Sequence, residues 1–136
     1  MQQEMFEADP ALVQTLGQRS VPVSCSEGGT LFKQGDQPAG LYILKSGEAN
    51  LIMESNAGMA VMCIHAEAGS VLGLPGVIAN EPYTMTALVK GGSDVRFVAR
   101  NDFAEMMREK PSLYPKVLEV LAAEVRAARH ALFEFC

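Results

Sequence analysis

Side chains that commonly carry out chemistry are scarce in this sequence. Its 136 residues include two histidines, His65 and His130, and three cysteines, Cys25, Cys63 and Cys136. A histidine-rich metal centre needs more imidazoles than this, and an iron–sulfur cluster needs four cysteine ligands. The sequence also has no Gly-x-Ser-x-Gly nucleophile elbow and no cysteine–histidine arrangement that resembles a catalytic pair. We therefore predict no catalytic residues, no metal site and a protein that is not an enzyme.

The stretch from Gly28 to Met53 reads as three short strands separated by two tight turns. The first turn is Gly35–Asp36, which follows the apolar pair Leu31–Phe32, and the second is Ser46–Gly47–Glu48. Glycine suits both turns because it adopts positive φ angles without steric cost.

Short apolar segments punctuated by glycine continue to about residue 100. Those that we predict as further strands are Val21–Cys25, Ala60–His65, the residues around Val71, Thr84–Val89 and Val95–Val98. The last two are expected to form a hairpin, because Gly91–Gly92–Ser93–Asp94 between them is a strong turn signal. Regular short strands with glycine turns predict an antiparallel all-β sandwich or barrel over about residues 20–100.

Helical signals lie on either side of this β region. The predicted helices are 10–16, 102–110 and 113–135, the last two making up a C-terminal helical part over about 102–136. Asp9–Pro10 supplies an N-cap and a first-turn proline to the first helix. Asp102 and Glu105 have the spacing of a capping box for the second, and Ser112 is expected to cap the third. One core is the expectation for a chain of this length, so 1–136 is predicted to be a single domain.

The final predicted helix carries an apolar seam with alternating spacings of three and four residues, formed by Leu118, Leu121, Val125, Ala128, Leu132 and Phe135. Such a seam could lie on the core of its own domain. The alternative, which we favour, is that it pairs with its copy in a symmetric dimer, where nearby alanines would let two backbones approach closely.

The glycine framework, together with the Gly35–Asp36 and Leu41–Tyr42 pairs, resembles the cyclic-nucleotide-binding-domain family. This is the sensory domain of bacterial regulators of the cAMP-receptor and FNR type. The resemblance implies a mainly β fold: an antiparallel β-roll of the jelly-roll kind with a short N-terminal helix and two C-terminal helices, the last one long. It also implies a non-enzymatic sensor that forms a homodimer through the final helix.

The family's ligand chemistry is concentrated in a phosphate-binding cassette, and residues 73–87 fall where the resemblance places it. Relatives that bind cAMP read roughly Gly-Glu-Leu, a short helix, and then Pro-Arg-Ser/Thr-Ala. Their Glu accepts a hydrogen bond from the ribose and their Arg neutralises the phosphate. The corresponding candidate site residues here are Gly73, Leu74, Gly76, Val77, Pro82, Tyr83 and Thr84.

Both charged determinants of the cassette are replaced. Leu74 stands at the Glu position and Tyr83 at the Arg position, while Pro75 removes a backbone donor from the short helix. We therefore predict weak or no binding of cAMP and cGMP, and no cofactor. The pocket should be more apolar than in relatives because of Leu74, Val77, Ile78, Tyr83 and Met85.

Composition limits the partners. The net charge of −5 and the lack of a basic stripe or helix-turn-helix predict no DNA binding by this chain alone. No apolar run approaches the ~20 residues of a membrane span. The first residues lack the features of a signal peptide, so a cytoplasmic location with reduced thiols is expected.

These observations favour a stand-alone, dimeric regulatory or sensor domain that binds cAMP and cGMP weakly or not at all and has room for another small-molecule ligand. One alternative is a ligand-free structural or interaction module, and another is the sensory fragment of a transcription regulator that does bind a cyclic nucleotide. An open pocket around Tyr83 and Thr84 would favour a ligand sensor, and a filled pocket would favour the ligand-free module.

Overall fold

The structure, a computed structural model, describes the backbone of residues 8–131 and the side chains of residues 8–129. The strands are β1 (Val21–Val23), β2 (Gly29–Phe32), β3 (Gly40–Ser46), β4 (Glu48–Glu54), β5 (Ala60–Glu67), β6 (Ser70–Leu72), β7 (Thr86–Val89) and β8 (Asp94–Ala99). The helices are α1 (Pro10–Gly17), α2 (Leu74–Ala79), α3 (Arg100–Glu109) and α4 (Tyr114–Ala131), with a 3₁₀ turn at Pro111–Leu113.

The strands form two four-stranded sheets in which every pairing is antiparallel. One sheet has the order β1-β8-β3-β6 and the other has the order β2-β7-β4-β5. Strand β5 shows how the sequence specifies the faces, because Met62, Ile64 and Ala66 are buried while the alternate residues are more exposed. Leu51 of β4 and Ala87 of β7 face each other on the same inner surface. The predicted antiparallel β-roll is confirmed.

The predicted hairpin between the last two strands is wrong. Strand β7 pairs with β2 and β4, whereas β8 pairs with β1 and β3 in the other sheet. The turn signal at Gly91–Gly92 is real, since Gly92 has a φ of +83° and its N–H donates to the Cys25 carbonyl at 2.9 Å. That turn carries the chain from one sheet to the other, which alternation along a strand cannot reveal.

Gly47 makes another of the crossings between the sheets, from β3 to β4. Its φ is +97°, and a Cβ at this position would lie 2.1 Å from the Ser93 Oγ and 2.8 Å from the Ser93 Cα. The predicted turn at 46–48 is therefore confirmed. Both the backbone conformation and the space available require glycine there.

Helix α1 agrees with its predicted cap. The Asp9 Oδ1 accepts a hydrogen bond from the Ala11 N–H at 2.8 Å, and Pro10 occupies the first turn. The Lys116 Nζ lies 3.0 Å from the Asp9 Oδ2, which joins this cap to α4. The carboxylate accepts both hydrogen bonds, so these contacts lower the pKa of Asp9, with Lys116 the larger cause.

The predicted caps of the two later helices are wrong. Helix α3 begins at Arg100 rather than at 102, after Ala99, which makes no side-chain cap hydrogen bond. Asp102 therefore lies in the first turn, where its charge complements the helix dipole. Ser112 lies within the 3₁₀ turn, and α4 starts at Tyr114. Predicted helical residues 132–135 lie outside the described part of the chain.

Helix α4 has two apolar faces. Val117, Val120, Ala123 and Ala127 are buried against the roll. On the opposite side Leu118 is 62% and Val125 is 54% exposed. Of the predicted seam, Leu121 and Ala128 are partly buried and pack on the domain's own core, while Leu132 and Phe135 lie outside the described residues. One face of α4 thus packs on the domain's own core, and the opposite face is apolar and exposed, as pairing with a second copy would require.

The Cys25 thiol is free and buried, and burial raises its pKa. Cys63 is disulfide-bonded, so the expectation of reduced thiols throughout is wrong.

No helix among residues 8–131 combines the length and apolarity that a bilayer crossing requires.

Replacing Gly47 by alanine should destabilise the fold by about 3 kcal/mol, since left-handed strain and a clash with Ser93 add together. Gly58→Ala is the matched control, because Gly58 has a φ of +84° but nothing within 4 Å of its added Cβ. It should cost only about 1 kcal/mol. Urea unfolding measures both losses, and equal losses would contradict the close approach of Ser93.

Candidate functional site

The candidate site is the segment that joins β6 to β7. Gly73 begins it with a φ of +85°, α2 follows, and Asn80 ends the helix in the left-handed conformation with a φ of 56°. The Asn80 Oδ1 accepts a hydrogen bond from the Arg100 guanidinium, which ties this end of the segment to α3. The structure thus has a short helix where the resemblance to cyclic-nucleotide-binding domains implied one.

The predicted site residues divide into three groups. Gly73, Gly76, Tyr83 and Thr84 line one cavity between the segment and the roll. Leu74 and Val77 are buried in the core beside α1 and α3 instead, Leu74 with 1% exposure. Pro82 is exposed, and so is Ile78, at 45%. The expectation that Leu74, Val77 and Ile78 make the pocket apolar is therefore wrong, since none of them lines it.

Tyr83 enters the roll rather than pointing to solvent. It is 5% exposed, and its hydroxyl donates a hydrogen bond to the Gly40 carbonyl at 2.5 Å. Its ring stacks on Phe32 with centroids 4.0 Å apart and planes 24° apart. Burial raises the pKa of Tyr83, so the phenol stays protonated and remains a donor.

The backbone on both sides of Tyr83 is fixed by the Gly35–Asp36 turn. The Tyr83 N–H donates to the Asp36 carbonyl at 3.0 Å, and the Gly35 N–H donates to the Tyr83 carbonyl at 2.9 Å. A turn read from the sequence as a strand connector is therefore also the support of the site.

The glycines of the segment close over the Tyr83 ring. A Cβ at Gly73 would lie 3.0 Å from the Tyr83 Cε1, and one at Gly76 would lie 3.4 Å from the Cδ1. Gly73 suits its position because its φ is positive and the ring leaves little room, whereas the atom nearest to an added Cβ at Gly76 is the Glu81 carbonyl oxygen, at 3.0 Å.

The cavity that remains has a volume of about 10 Å³, which is room for roughly one water molecule. Its lining consists of Phe32, Leu51, Gly73, Pro75, Gly76, Tyr83, Thr84, Met85 and Glu124. Among these described residues none is basic. The pocket is filled by the protein's own side chains.

Glu124 was not predicted as a site residue. It extends from α4, and its Oε1 is buried with no hydrogen-bond partner among the described residues. Burial raises the pKa of this carboxyl to about 7. A signal was present in the sequence, because Glu124 continues the spacing of the buried residues Val120 and Ala127 on α4.

His65 lies on the outer surface of β5, away from this cavity. Its Nδ1 is 3.0 Å from the Asn50 Oδ1, and its Nε2 is 3.5 Å from the Glu48 Oε1. In the part of the chain that the structure describes, no three histidine, cysteine or acidic side chains are grouped to hold a metal ion.

The sequence was compared with models of protein families and with curated proteins. Residues 22–110 match the family model described as cyclic nucleotide-binding domain. No curated protein has a sequence that matches this chain significantly.

Solved structures share the fold at low identity. The catabolite activator protein of Thermus thermophilus superposes with a TM-score of 0.76 at 20% identity, over 91% of this chain and 58% of that one. The N-terminal domain of a transcriptional regulator from Streptomyces coelicolor superposes with a TM-score of 0.66 at 19% identity. The match covers 98% of this chain and 97% of that one. The sensor domain of the regulator DNR from Pseudomonas aeruginosa superposes with a TM-score of 0.67 at 17% identity. The match covers 93% of this chain and 85% of that one. The chain thus spans little more than half of the Thermus protein.

Tyr83→Phe should lower the free energy of unfolding by about 2 kcal/mol, because it removes a short buried hydrogen bond to Gly40 while keeping the ring. Tyr42→Phe is the matched control, since the Tyr42 hydroxyl donates to the Leu31 carbonyl at 3.2 Å in a less buried place. It should cost under about 1 kcal/mol. Chemical denaturation of the two variants separates them, and a neutral Tyr83→Phe would contradict the buried hydrogen bond.

Proposed function

Because the chain belongs to the cyclic nucleotide-binding domain family, we propose that it is a non-enzymatic regulatory domain whose nucleotide pocket is closed by its own side chains. The observation that carries this proposal is the position of Tyr83, stacked on Phe32 and hydrogen-bonded to Gly40. A pocket filled in this way supports a module that works without a small molecule in the pocket over a ligand sensor.

Admitting a nucleotide would require Tyr83 to leave its place. That movement gives up a hydrogen bond of ~1 kcal/mol, an aromatic pair of ~1 kcal/mol and ~2 kcal/mol of ring burial. The incoming phosphate would then find no cation among the residues that line the cavity. An anion transferred from water to such a place is poorly compensated.

The carboxyl of Glu124 adds to this discrimination. Glu124 lines the same cavity, so an anionic ligand would either be repelled by its carboxylate or require the carboxyl to be protonated. Among the described residues that line the cavity, the ionisable carboxyl is therefore an acid, and it offers a phosphate no compensating positive charge.

We also propose that the domain forms a homodimer through α4. Tyr114, Leu118 and Val125 are 50%, 62% and 54% exposed on the face that points away from the roll. An apolar stripe of this kind is stabilised when it is covered by a second copy. The regulatory output would then be the geometry or the stability of the paired helices.

The proposal assigns no DNA contact to this domain, because the net charge is −5. A protein partner or a DNA-binding neighbour would receive the signal. A cytoplasmic location stays a prediction.

Calorimetry with cAMP and cGMP tests the closed pocket. The unmodified protein should show no binding tighter than about high micromolar, since a few backbone hydrogen bonds supply roughly 1 kcal/mol each. Tyr83→Arg should improve cAMP affinity about tenfold or more by restoring a phosphate partner. Tyr83→Leu, which opens the pocket without adding charge, is the control and should give no gain. Submicromolar binding by the unmodified chain would refute the proposal.

Leu118→Glu combined with Val125→Glu should convert the dimer to a monomer, because four like charges would meet in the paired helices. Both positions are exposed in the single chain, so the fold should survive. Met59→Glu with Val61→Glu is the matched control, since these apolar residues are likewise exposed but do not belong to α4. Sedimentation velocity at tens of micromolar gives the oligomeric state, and an unmodified protein that sediments as a monomer would rule out the dimer.

A further inference from the structure

The closed cavity contains a group that the proposed function does not require. Glu124 lies on the buried side of α4, between Val120 and Ala127 in the helical spacing. Its Oε1 is buried and unpartnered among the described residues, although part of its side chain remains exposed. Natural proteins seldom leave a buried carboxyl oxygen without a partner, because its desolvation is not repaid.

None of the neighbouring elements offers this carboxyl a charged partner in the described residues that line the cavity. The Tyr83 hydroxyl is engaged by Gly40, and the other lining side chains are apolar except for Thr84, which is exposed. The neutral acid is therefore the form of Glu124 that fits the docked helix.

The elements packed against α4 place their own titratable groups elsewhere. Strand β5 directs apolar residues inward, while its His65 and Glu67 pair with each other on the outer surface. The 3₁₀ turn at Pro111–Leu113 contains no titratable side chain. On α4 itself, Glu119, Arg126 and Arg129 are exposed and Lys116 pairs with Asp9.

A cavity of about 10 Å³ excludes any organic ligand, but it does not exclude a proton or a water molecule. We propose that Glu124 is a proton-dependent switch that keeps α4 docked on the roll when it is neutral and favours displacement of the helix when it ionises. The inference rests on the proposed function, since it supplies the signal for a domain whose nucleotide pocket is closed.

The outward face of α4 connects this switch to the dimer. Glu124 precedes Val125, one of the exposed apolar residues of that face. A displacement of α4 that brings the carboxylate further into water would carry Leu118 and Val125 with it. Proton release would therefore change how two copies pair.

The direction of the pH effect follows from the burial of the group. Burial raises the pKa of Glu124 from 4.5 to about 7 in the folded protein, so folding takes up a proton between these values. The stabilisation of the folded state by protonated Glu124 is complete below the pKa of the unfolded chain, 4.5. It is lost as the pH rises to and through the folded-state pKa of about 7. Between pH 5.5 and 7.5 this group alone should raise the unfolding equilibrium constant roughly 20-fold.

Three proteins test the switch: the unmodified chain, Glu124→Gln, which keeps the shape and cannot ionise, and Glu119→Gln, which removes an exposed carboxyl from the same helix. Urea unfolding is followed from pH 5 to 8. The unmodified protein and Glu119→Gln should show the same dependence of stability on pH. Glu124→Gln should lack the roughly 20-fold rise in the unfolding equilibrium constant between pH 5.5 and 7.5. Identical profiles for all three would overturn the proposal.

Carbon-13 NMR of the glutamate carboxyls provides a readout that does not depend on stability. The Glu124 resonance should titrate near pH 7, and amide hydrogen exchange in α4, corrected for the intrinsic rate, should accelerate above that pH. Titration near 4.5, or unchanged exchange in α4, would overturn the switch. Both readouts apply to a monomer as well, so a failure of the proposed dimer is recognised separately by sedimentation.

Discussion

The hydrogen bond from Tyr83 to the Gly40 carbonyl, with the stack on Phe32, is the constraint on which the site depends. It joins the segment after β6 to strands of both sheets, because Gly40 lies in one sheet and Phe32 in the other. Gly73, with its positive φ, lies against the ring where an added Cβ would be only 3.0 Å from the Tyr83 Cε1. The same arrangement closes the pocket that gives the family its name.

A cassette that keeps its shape while losing its charges can still transmit information. Glu124 lines the same cavity as the cassette, and this residue belongs to the helix whose opposite face is apolar and exposed. In the account proposed above, Glu124 is the link between the pocket and the dimer face. What has changed is the chemistry at the inner end, from a site for an anion to a buried acid beside two aromatic rings.

The fold could be predicted because its signals are local. Alternation in β5, the turn at Gly47 and the cap at Asp9 are each contained in a few residues. Sheet membership of β7 and β8 depends on pairing with distant strands, so the hairpin prediction failed. The site was located by resemblance, but the inward direction of Tyr83 depends on hydrogen bonds to Asp36 and Gly40, which no local pattern specifies. Glu124 matched the helical spacing of the buried face and was missed because the seam was read from apolar residues alone.

The central claim is that Tyr83, and not a nucleotide, occupies the pocket. Nuclear Overhauser contacts from the Tyr83 ring and hydroxyl protons to Phe32 and Gly40, measured with cAMP at millimolar concentration, test it most directly. The account predicts a slowly exchanging hydroxyl proton and contacts that are unchanged by the nucleotide. Loss of those contacts on a saturable addition of cAMP, with new ones from Tyr83 to solvent-facing residues, would contradict it.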